Sequence, residues 1–388
     1  MNKKIKSFFC VIVMAFPLLL LSGCWDSYEP DRMVYVHGVG VDYKDGYYTV
    51  YLQLINLGML AKQESGGGTE ETKVEVGKAS GKTVDEAIFN LYRSSQRRIF
   101  WGHLAIIIFT EEALRAQGLS HAVDLFDRYR ETRYRMWMYA TKEPLDKLLT
   151  AVPVMELSTA LSRLSDPYAT YDQRSLFKPV DLRELLIFLN EPPHEAVIPL
   201  VGIDEKDWRT NSGKRNTIQW KGAAVVTANS FKQRLSPKET AGLKWINKDL
   251  NREDLRVKKG KHKDTSVLIY DLNVHIKPIV RKEDIRFEVQ VKAKASLREL
   301  SHSVNLREIS QEAEKIMARE IENTFKTGLK ANADLLRLSE TLYRKNVQAW
   351  KKVQQQGSIP LTEQSLQTVN VHVKIVEGEK QRKEPTLN

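Results

Sequence analysis

Leu104-Ala105-Ile106-Ile107-Ile108-Phe109 is an apolar run without alternation. A strand with one wet face alternates apolar and polar residues, so a strand that is apolar throughout must be covered on both faces. The chain around it is therefore restricted to a sheet with helices on each side. The flanking sequence supplies such helices. Thr83-Val84-Asp85-Glu86 is a capping box, and Val84, Ala87, Ile88 and Leu91 have the spacing of an amphipathic helix running to about Arg98. Glu111 to Gln117, closed by Gly118, and Ser120 to about Glu131 read as two further helices, followed by a strand over Tyr134 to Thr141.

Upstream, Met33 to Val41 and Tyr47 to Ile55 alternate around Lys44-Asp45-Gly46, a hairpin with Asp-Gly turn chemistry. Thr72 to Ala79 is a further strand. Gly38-Val39-Gly40 lacks the third glycine of a dinucleotide fingerprint and no helix follows it; Ser65 to Thr69 lacks the Lys-Ser or Lys-Thr pair of a phosphate loop. From Pro144 to Leu189 the pattern is helical, with Asp181 capping Leu182 to Leu189. Pro192-Pro193 and the polar stretch Asp204 to Asn216 mark a break.

The second half restarts with a strand at Ile218 to Val226. Ser236-Pro237-Lys238-Glu239 should open a helix through Trp245. Lys258, Lys259, Lys261 and Lys263 form a basic loop, and Thr265 to Val280 and Ile285 to Leu297 are long alternating strands. Leu306 to Gln356 is helical, with a stripe of Ile309, Ala313, Ile316, Met317 and Ile321 and a division expected at Gly328. Thr368 to Val376 is a last strand. The fold class is α+β: two to three mixed sheet-and-helix domains, an N-terminal sheet with helices on its faces, and a C-terminal domain with long strands and a long helical region.

The N-terminus sets location. Lys3, Lys4 and Lys6 precede an apolar run from Phe8 to Leu21, and Leu21-Ser22-Gly23-Cys24 has the form of a bacterial lipobox. The run is shorter than the roughly 20 residues of a transmembrane helix. The expectation is a signal peptide over residues 1–23, cleaved before Cys24, whose thiol carries lipid. The other cysteine, Cys10, lies in the discarded peptide, so the mature chain has no intramolecular disulfide and must rely on apolar burial. Formal charge is +11, falling to about +8 without the three signal-peptide lysines. Residues 24–205 and 217–377 are expected to form an N-terminal and a C-terminal domain, and 378–388 a charged, disordered tail. Export makes nucleic acid an unsuitable partner.

Recognisable catalytic chemistry is sparse. None of the eight histidines pairs with another at helical metal-ligand spacing; His194-Glu195 begins a zinc-protease pattern, but Ile198 holds the second histidine position. No nucleophile elbow is present. The expectation is no catalytic residue, no metal ligand, no cofactor, and Cys24 as the one modified residue. Arg93, Arg97 and Arg98, with Arg128, Arg130, Arg133 and Arg135, concentrate positive charge; they suit an acidic partner or anionic ligand, or pairing with Asp124, Asp127 and Glu131.

Gly23-Cys24-Trp25-Asp26, Val36-His37-Gly38-Val39-Gly40-Val41-Asp42, Tyr48-Thr49-Val50, Ser95-Gln96-Arg97-Arg98 with Trp101-Gly102-His103, and Gly222-Ala223-Ala224-Val225 with Leu235-Ser236-Pro237-Lys238-Glu239-Thr240 together resemble the Ger(x)C family, the lipoprotein C subunits of bacterial spore germinant receptors. The blocks span nearly the whole chain in the family's order. One departure is Lys232-Gln233-Arg234, where family members often carry a glycine. The resemblance implies a non-enzymatic subunit, anchored through Cys24 on the outer face of the inner spore membrane. It implies two integral membrane partners, an A-type and a B-type subunit, in a receptor for nutrients such as amino acids or sugars. The residues alone also leave open a free-standing extracytoplasmic lipoprotein that captures a solute, and an envelope hydrolase built on a carboxylate pair.

Overall fold

The computed structural model describes residues 33–55, 74–151, 162–211, 213–258, 264–282, 284–300 and 305–376. Strands β1 (Met33–Lys44) and β2 (Tyr47–Ile55) form the expected hairpin, with Asp45 and Gly46 at φ of 52° and 81° in the turn. Next come β3 (Glu75–Gly81), α1 (Val84–Tyr92), β4 (Arg98–Phe100), β5 (Ile106–Thr110), α2 (Glu111–Arg115), α3 (Gly118–Arg128) and β6 (Trp137–Thr141). Three short helices follow, α4 (Leu145–Leu149), α5 (Pro167–Tyr171) and α6 (Leu182–Asn190), and then β7 (Glu195–Asp204). A small ribbon, β8 (Arg209–Thr210) and β9 (Gly213–Lys214), leads to β10 (Thr217–Thr227) and β11 (Phe231–Leu235).

These strands build one sheet in the order β11-β10-β7-β6-β5-β1-β2-β3, with β4 beside the start of β1. Strands β1, β5, β6 and β7 run parallel, and the outer pairs are antiparallel. The apolar run is covered on both faces as expected. Ile107 and Phe109 join the larger core with α1, α3 and α6, while Ile106 and Ile108 join a smaller core with α4 on the other side. The Gly-x-Gly of β1 serves this second face. A β-carbon at Gly40 would lie 3.0 Å from the Leu145 side chain, and one at Gly38 would lie 2.9 Å from Gln53 and Ile106.

Helix α1 starts where the capping box puts it, with Thr83 Oγ1 accepting from the Glu86 N–H at 3.1 Å. It ends at Tyr92 and not near Arg98, because Arg98 begins β4 and pairs with Met33 in β1. Asp181 caps α6 as expected, accepting from the Glu184 N–H at 2.7 Å. The polar stretch from Asp204 to Asn216 connects two antiparallel neighbours of the first sheet, β7 and β10.

The second sheet has the order β12-β13-β14-β15, from β12 (Arg252–Lys258), β13 (Asp264–Arg281), β14 (Asp284–Leu300) and β15 (Leu366–Ile375). Its buried face packs on α8 (Leu306–Lys330) through Ile309, Ala313, Met317, Ile321 and Phe325, against Ile269, Phe287, Val291 and Val373 among others. The short helices α9 (Leu338–Lys345) and α10 (Val347–Val353) close the route to β15, which runs parallel to β14. Gly328 does not end α8; the helix continues to Lys330. The glycine is where the chain turns back on the last turn of α8, with the Ala333 carbonyl 2.6 Å from a β-carbon at that position.

Ser236 to Trp245 is not one helix. Ser236 and Glu239 make reciprocal capping contacts, after which the chain runs through turns to the single turn α7 (Leu243–Ile246). The reason is docking on α8. Gly242 lies so close to it that a β-carbon would sit 2.4 Å from the Glu320 carbonyl. Thr324 Oγ1 accepts from the Gly242 N–H at 2.9 Å and donates to the Glu239 carbonyl at 2.8 Å, and Trp245 Nε1 donates to Glu320 at 2.6 Å.

Candidate functional site

Cys24, the residue singled out as modified, lies outside the described residues, as do Lys259 to Lys263 of the basic loop, the Ser65–Thr69 loop and the charged tail. Among the described residues, no group of three His, Cys, Asp or Glu side chains is placed to hold a metal ion, and no helix is long and apolar enough to cross a membrane. The features that can act on a partner are the junction between the two sheets, an aromatic cleft, and the arginines.

The junction centres on Glu195, the first residue of β7. His194 before it has φ of 61° and its ring lies against Gly357, where a β-carbon would be 2.1 Å from the imidazole. Glu195 is buried; its carboxylate accepts from Lys232 Nζ at 2.5 Å and from the Asp334 backbone N–H, and its carbonyl accepts from Arg337 Nη1 at 3.1 Å. Asp334 in turn accepts from the Leu338 and Ser339 N–H groups at 2.9 and 2.6 Å, opening α9. Burial pushes the Asp334 carboxyl above the usual aspartate range, the two backbone donors oppose this, and Glu195 adds a smaller upward push. Arg337 stacks over Phe188 at 4.2 Å and pairs with Glu340. Val225, Leu235, Ala333 and Leu335 form a small apolar core beside this network. A cleft of about 820 Å³ opens here between Pro193, Lys232, Asn332 and Gln356.

A second contact between the halves is polar. Glu253, in β12, is 1% exposed and faces Arg174 at 3.3 Å and Lys244 at 3.5 Å. The Ser175 hydroxyl accepts from the Asn251 and Arg252 N–H groups, both at 3.1 Å. Near it a cleft of about 570 Å³ is lined by Phe177, Trp208 and Trp220 with Asp204, Asp207 and Gln219. Phe177 and Trp220 are 5.1 Å apart, and Trp208 is half exposed.

The sequence blocks around Trp101 and Arg98 prove to be partly structural. Trp101 is buried, stacks on Tyr129 at 5.4 Å, donates from Nε1 to the Tyr92 hydroxyl at 3.1 Å, and donates its N–H to Glu131 at 3.0 Å. Trp137 is half-buried and donates to the Ser165 carbonyl, whereas Trp208 is exposed. His37 is buried and hydrogen-bonds Gln53 at 2.9 Å; burial pushes its pKa down. Glu131 also pairs with Arg98 at 3.3 Å, and Asp124 with Arg128 at 3.0 Å.

Comparison with known proteins decides the family. Residues 26–203 match the spore germination protein N-terminal domain, and residues 221–378 match the spore germination B3/GerAC-like C-terminal domain. The chain belongs to the Ger(x)C family of spore germination proteins. Spore germination protein KC of Bacillus subtilis (strain 168) is 24% identical over 363 residues, 88% of either chain. Spore germination protein B3 of the same organism is 23% identical over 293 residues, 74% of either chain. The crystal structure of the GerBC protein superposes with a TM-score of 0.51 at 17% identity, covering 88% of this chain and 97% of that one, and so shares the fold.

Within this Ger(x)C chain, the junction around Glu195, Lys232 and Asp334 escaped sequence reasoning. Its one visible signal was Pro192-Pro193-His194-Glu195, which reads as a break and as half of a zinc motif; the structure uses it to turn the chain into β7 and to seat the second half.

Proposed function

We propose that this protein is the lipid-anchored C subunit of a nutrient germinant receptor, assembling with an A-type and a B-type integral membrane subunit to trigger spore germination. The observation that carries this reading is that the two germination-protein domains match in order over 26–203 and 221–378, directly behind a lipobox ending at Cys24. On this reading residues 1–23 are removed, Cys24 is acylated, and the folded chain is held at the outer face of the inner spore membrane. The subunit acts by assembly and not by catalysis. The segments 24–205 and 217–377 are proposed as its two family domains, with 378–388 as a tail; because β10 and β11 hydrogen-bond into the sheet of β7, the two segments share a body.

The test of the anchor is incorporation of radiolabelled fatty acid into the mature band. Cys24→Ala should abolish it, since a methyl group forms no thioether. Label that survives the substitution rejects the anchoring reading.

The cleft of about 570 Å³ beside Trp208 and Trp220 favours a second reading, a lipoprotein that captures a solute by itself, because that volume lies in the range of small-molecule sites. Tight nutrient binding by the isolated chain, lost in Trp220→Ala, would select it.

A further inference from the structure

The sequence places seven arginines in two short segments, 93–98 and 128–135, against three acids in and just before the second, Asp124, Asp127 and Glu131. The topology brings both segments to one rim. Strands β1, β4, β5 and β6 are parallel, with Met33 beside Arg98, Gly38 beside Ile106, and Ile106 beside Trp137. The residues just before β4 and just before β6 therefore lie at the end of the sheet where β1 begins. Arg93, Arg97 and Arg98 come from the first segment. Arg130, Arg133 and Arg135 come from the second, which stays extended toward the rim because Leu182 and Arg183 donate their N–H groups to the Met136 and Tyr134 carbonyls at 2.8 and 3.1 Å. These side chains are exposed, and Tyr134 among them is 53% exposed.

The rim is also where the chain enters the fold. Met33 lies nine steps along the chain from Cys24, and at most about 3.3–3.6 Å each these steps span roughly 30 Å. The opposite end of β1, at Lys44, lies eleven residues further on, about 36 Å from Met33 at roughly 3.3 Å per residue. A bilayer holding Cys24 is thus beside the arginines with the linker in any conformation, whereas it meets the hairpin tip only with the linker fully extended back along β1.

We propose that this arginine rim, at the start of β1, β4 and β6, is the face the protein lays on an anionic bilayer surface. The proposal rests on the anchoring of Cys24 and adds an orientation to it: the β1–β2 turn points away from the membrane. Guanidinium groups pair with phosphate oxygens in a bidentate manner, and exposed tyrosines suit the headgroup layer, so the chemistry at the rim matches phospholipid headgroups. The ion pairs Arg98–Glu131 and Arg128–Asp124 hold two members in place, and the seven arginines outnumber the three acids of these segments.

The experiment uses the full chain on vesicles of phosphatidylglycerol or phosphatidylcholine. A fluorophore is placed on Gln96→Cys at the rim or Lys44→Cys at the tip, with the parent chain, whose cysteines are Cys10 and Cys24, as the blank. Brominated phosphatidylglycerol should quench the rim label at least about twofold and leave the tip label bright. In the Cys24→Ala chain, which has no acyl group to hold it, replacing Arg93, Arg97, Arg130 and Arg135 together by Gln should weaken association with phosphatidylglycerol vesicles by at least about tenfold. Salt at about 0.5 M should reproduce that loss in the Cys24→Ala chain with its arginines intact. A chain that stays bound with the rim label unquenched, equal behaviour on the two lipids, or no effect of the four substitutions would overturn the proposal and make an acidic protein surface the occupant. The anchor fails separately: Cys24→Ala would then leave vesicle association unchanged while the rim label is still quenched.

Discussion

Replacing Glu195 by Gln keeps the length of the side chain and one acceptor oxygen but removes the charge on which the junction converges. Glu195 is 4% exposed and accepts from Lys232 Nζ at 2.5 Å. Taking one partner out of a buried charge pair costs about 3–5 kcal/mol. Here the Lys232 side chain keeps 28% of its surface in solvent and also donates to the Asn332 carbonyl at 2.7 Å, so part of the loss is compensated. Removing the charge further relieves Asp334, which Glu195 pushes up. The expected loss is therefore about 1–3 kcal/mol. Urea unfolding followed by tryptophan fluorescence measures it, since Trp101 and Trp137 report on the first sheet and Trp245 and Trp350 on the second half. The midpoint should fall. Lys232→Met and the double variant complete a cycle whose coupling should exceed about 0.5 kcal/mol. A midpoint unchanged within about 0.5 kcal/mol, the range of an ordinary surface change, would refute the claim that Glu195 and Lys232, through their bonds to Asp334 and Asn332, hold the first sheet to the second half.

Three further substitutions test the fold that positions these surfaces. Gly222→Ala meets φ of +135° and would place a β-carbon 2.1 Å from the Leu235 carbonyl, so thermal unfolding should show a loss of about 2–4 kcal/mol. Thr324→Val keeps the shape of a fully buried side chain but strands the Gly242 N–H and the Glu239 carbonyl, and should cost about 1–3 kcal/mol by denaturant titration. His37 is held neutral by burial, with its folded pKa below the unfolded value of roughly 6.5. Its contribution is therefore complete above that pH and is lost as pH falls through the folded pKa. His37→Asn should flatten the pH dependence of unfolding below roughly pH 6.5, and an unchanged slope would show that other groups carry it.

Much of the first sheet was legible because its signals are local: the Asp-Gly turn, the Thr83 and Asp181 caps, and the unbroken apolar run that demanded two covered faces. Strand β12 was not. Its inward positions are Glu253, Leu255 and Val257, and the buried glutamate, neutralised by Arg174 and Lys244 from elsewhere in the chain, breaks the apolar alternation that would mark a strand. The helix expected over Ser236–Trp245 shortened because Gly242 approaches α8 so closely, a constraint set by a helix some 80 residues away in sequence. Helix α1 stopped short of Arg98 because pairing with Met33, a long-range contact, took that residue into a strand. The site residues divide in the same way. Cys24 is a linear signal that sequence alone can state, whereas Glu195, Lys232 and Asp334 are distant in sequence and meet only in the fold.

If this chain works as a subunit, purification from spore membranes through an affinity tag on its C-terminus should bring its partners with it. Two integral membrane proteins, one of each partner type, should be recovered with it in fixed ratio, and both should be lost from the preparation when Cys24 is replaced by Ala. Recovery of the chain alone, under conditions that keep other membrane complexes intact, would contradict the subunit reading.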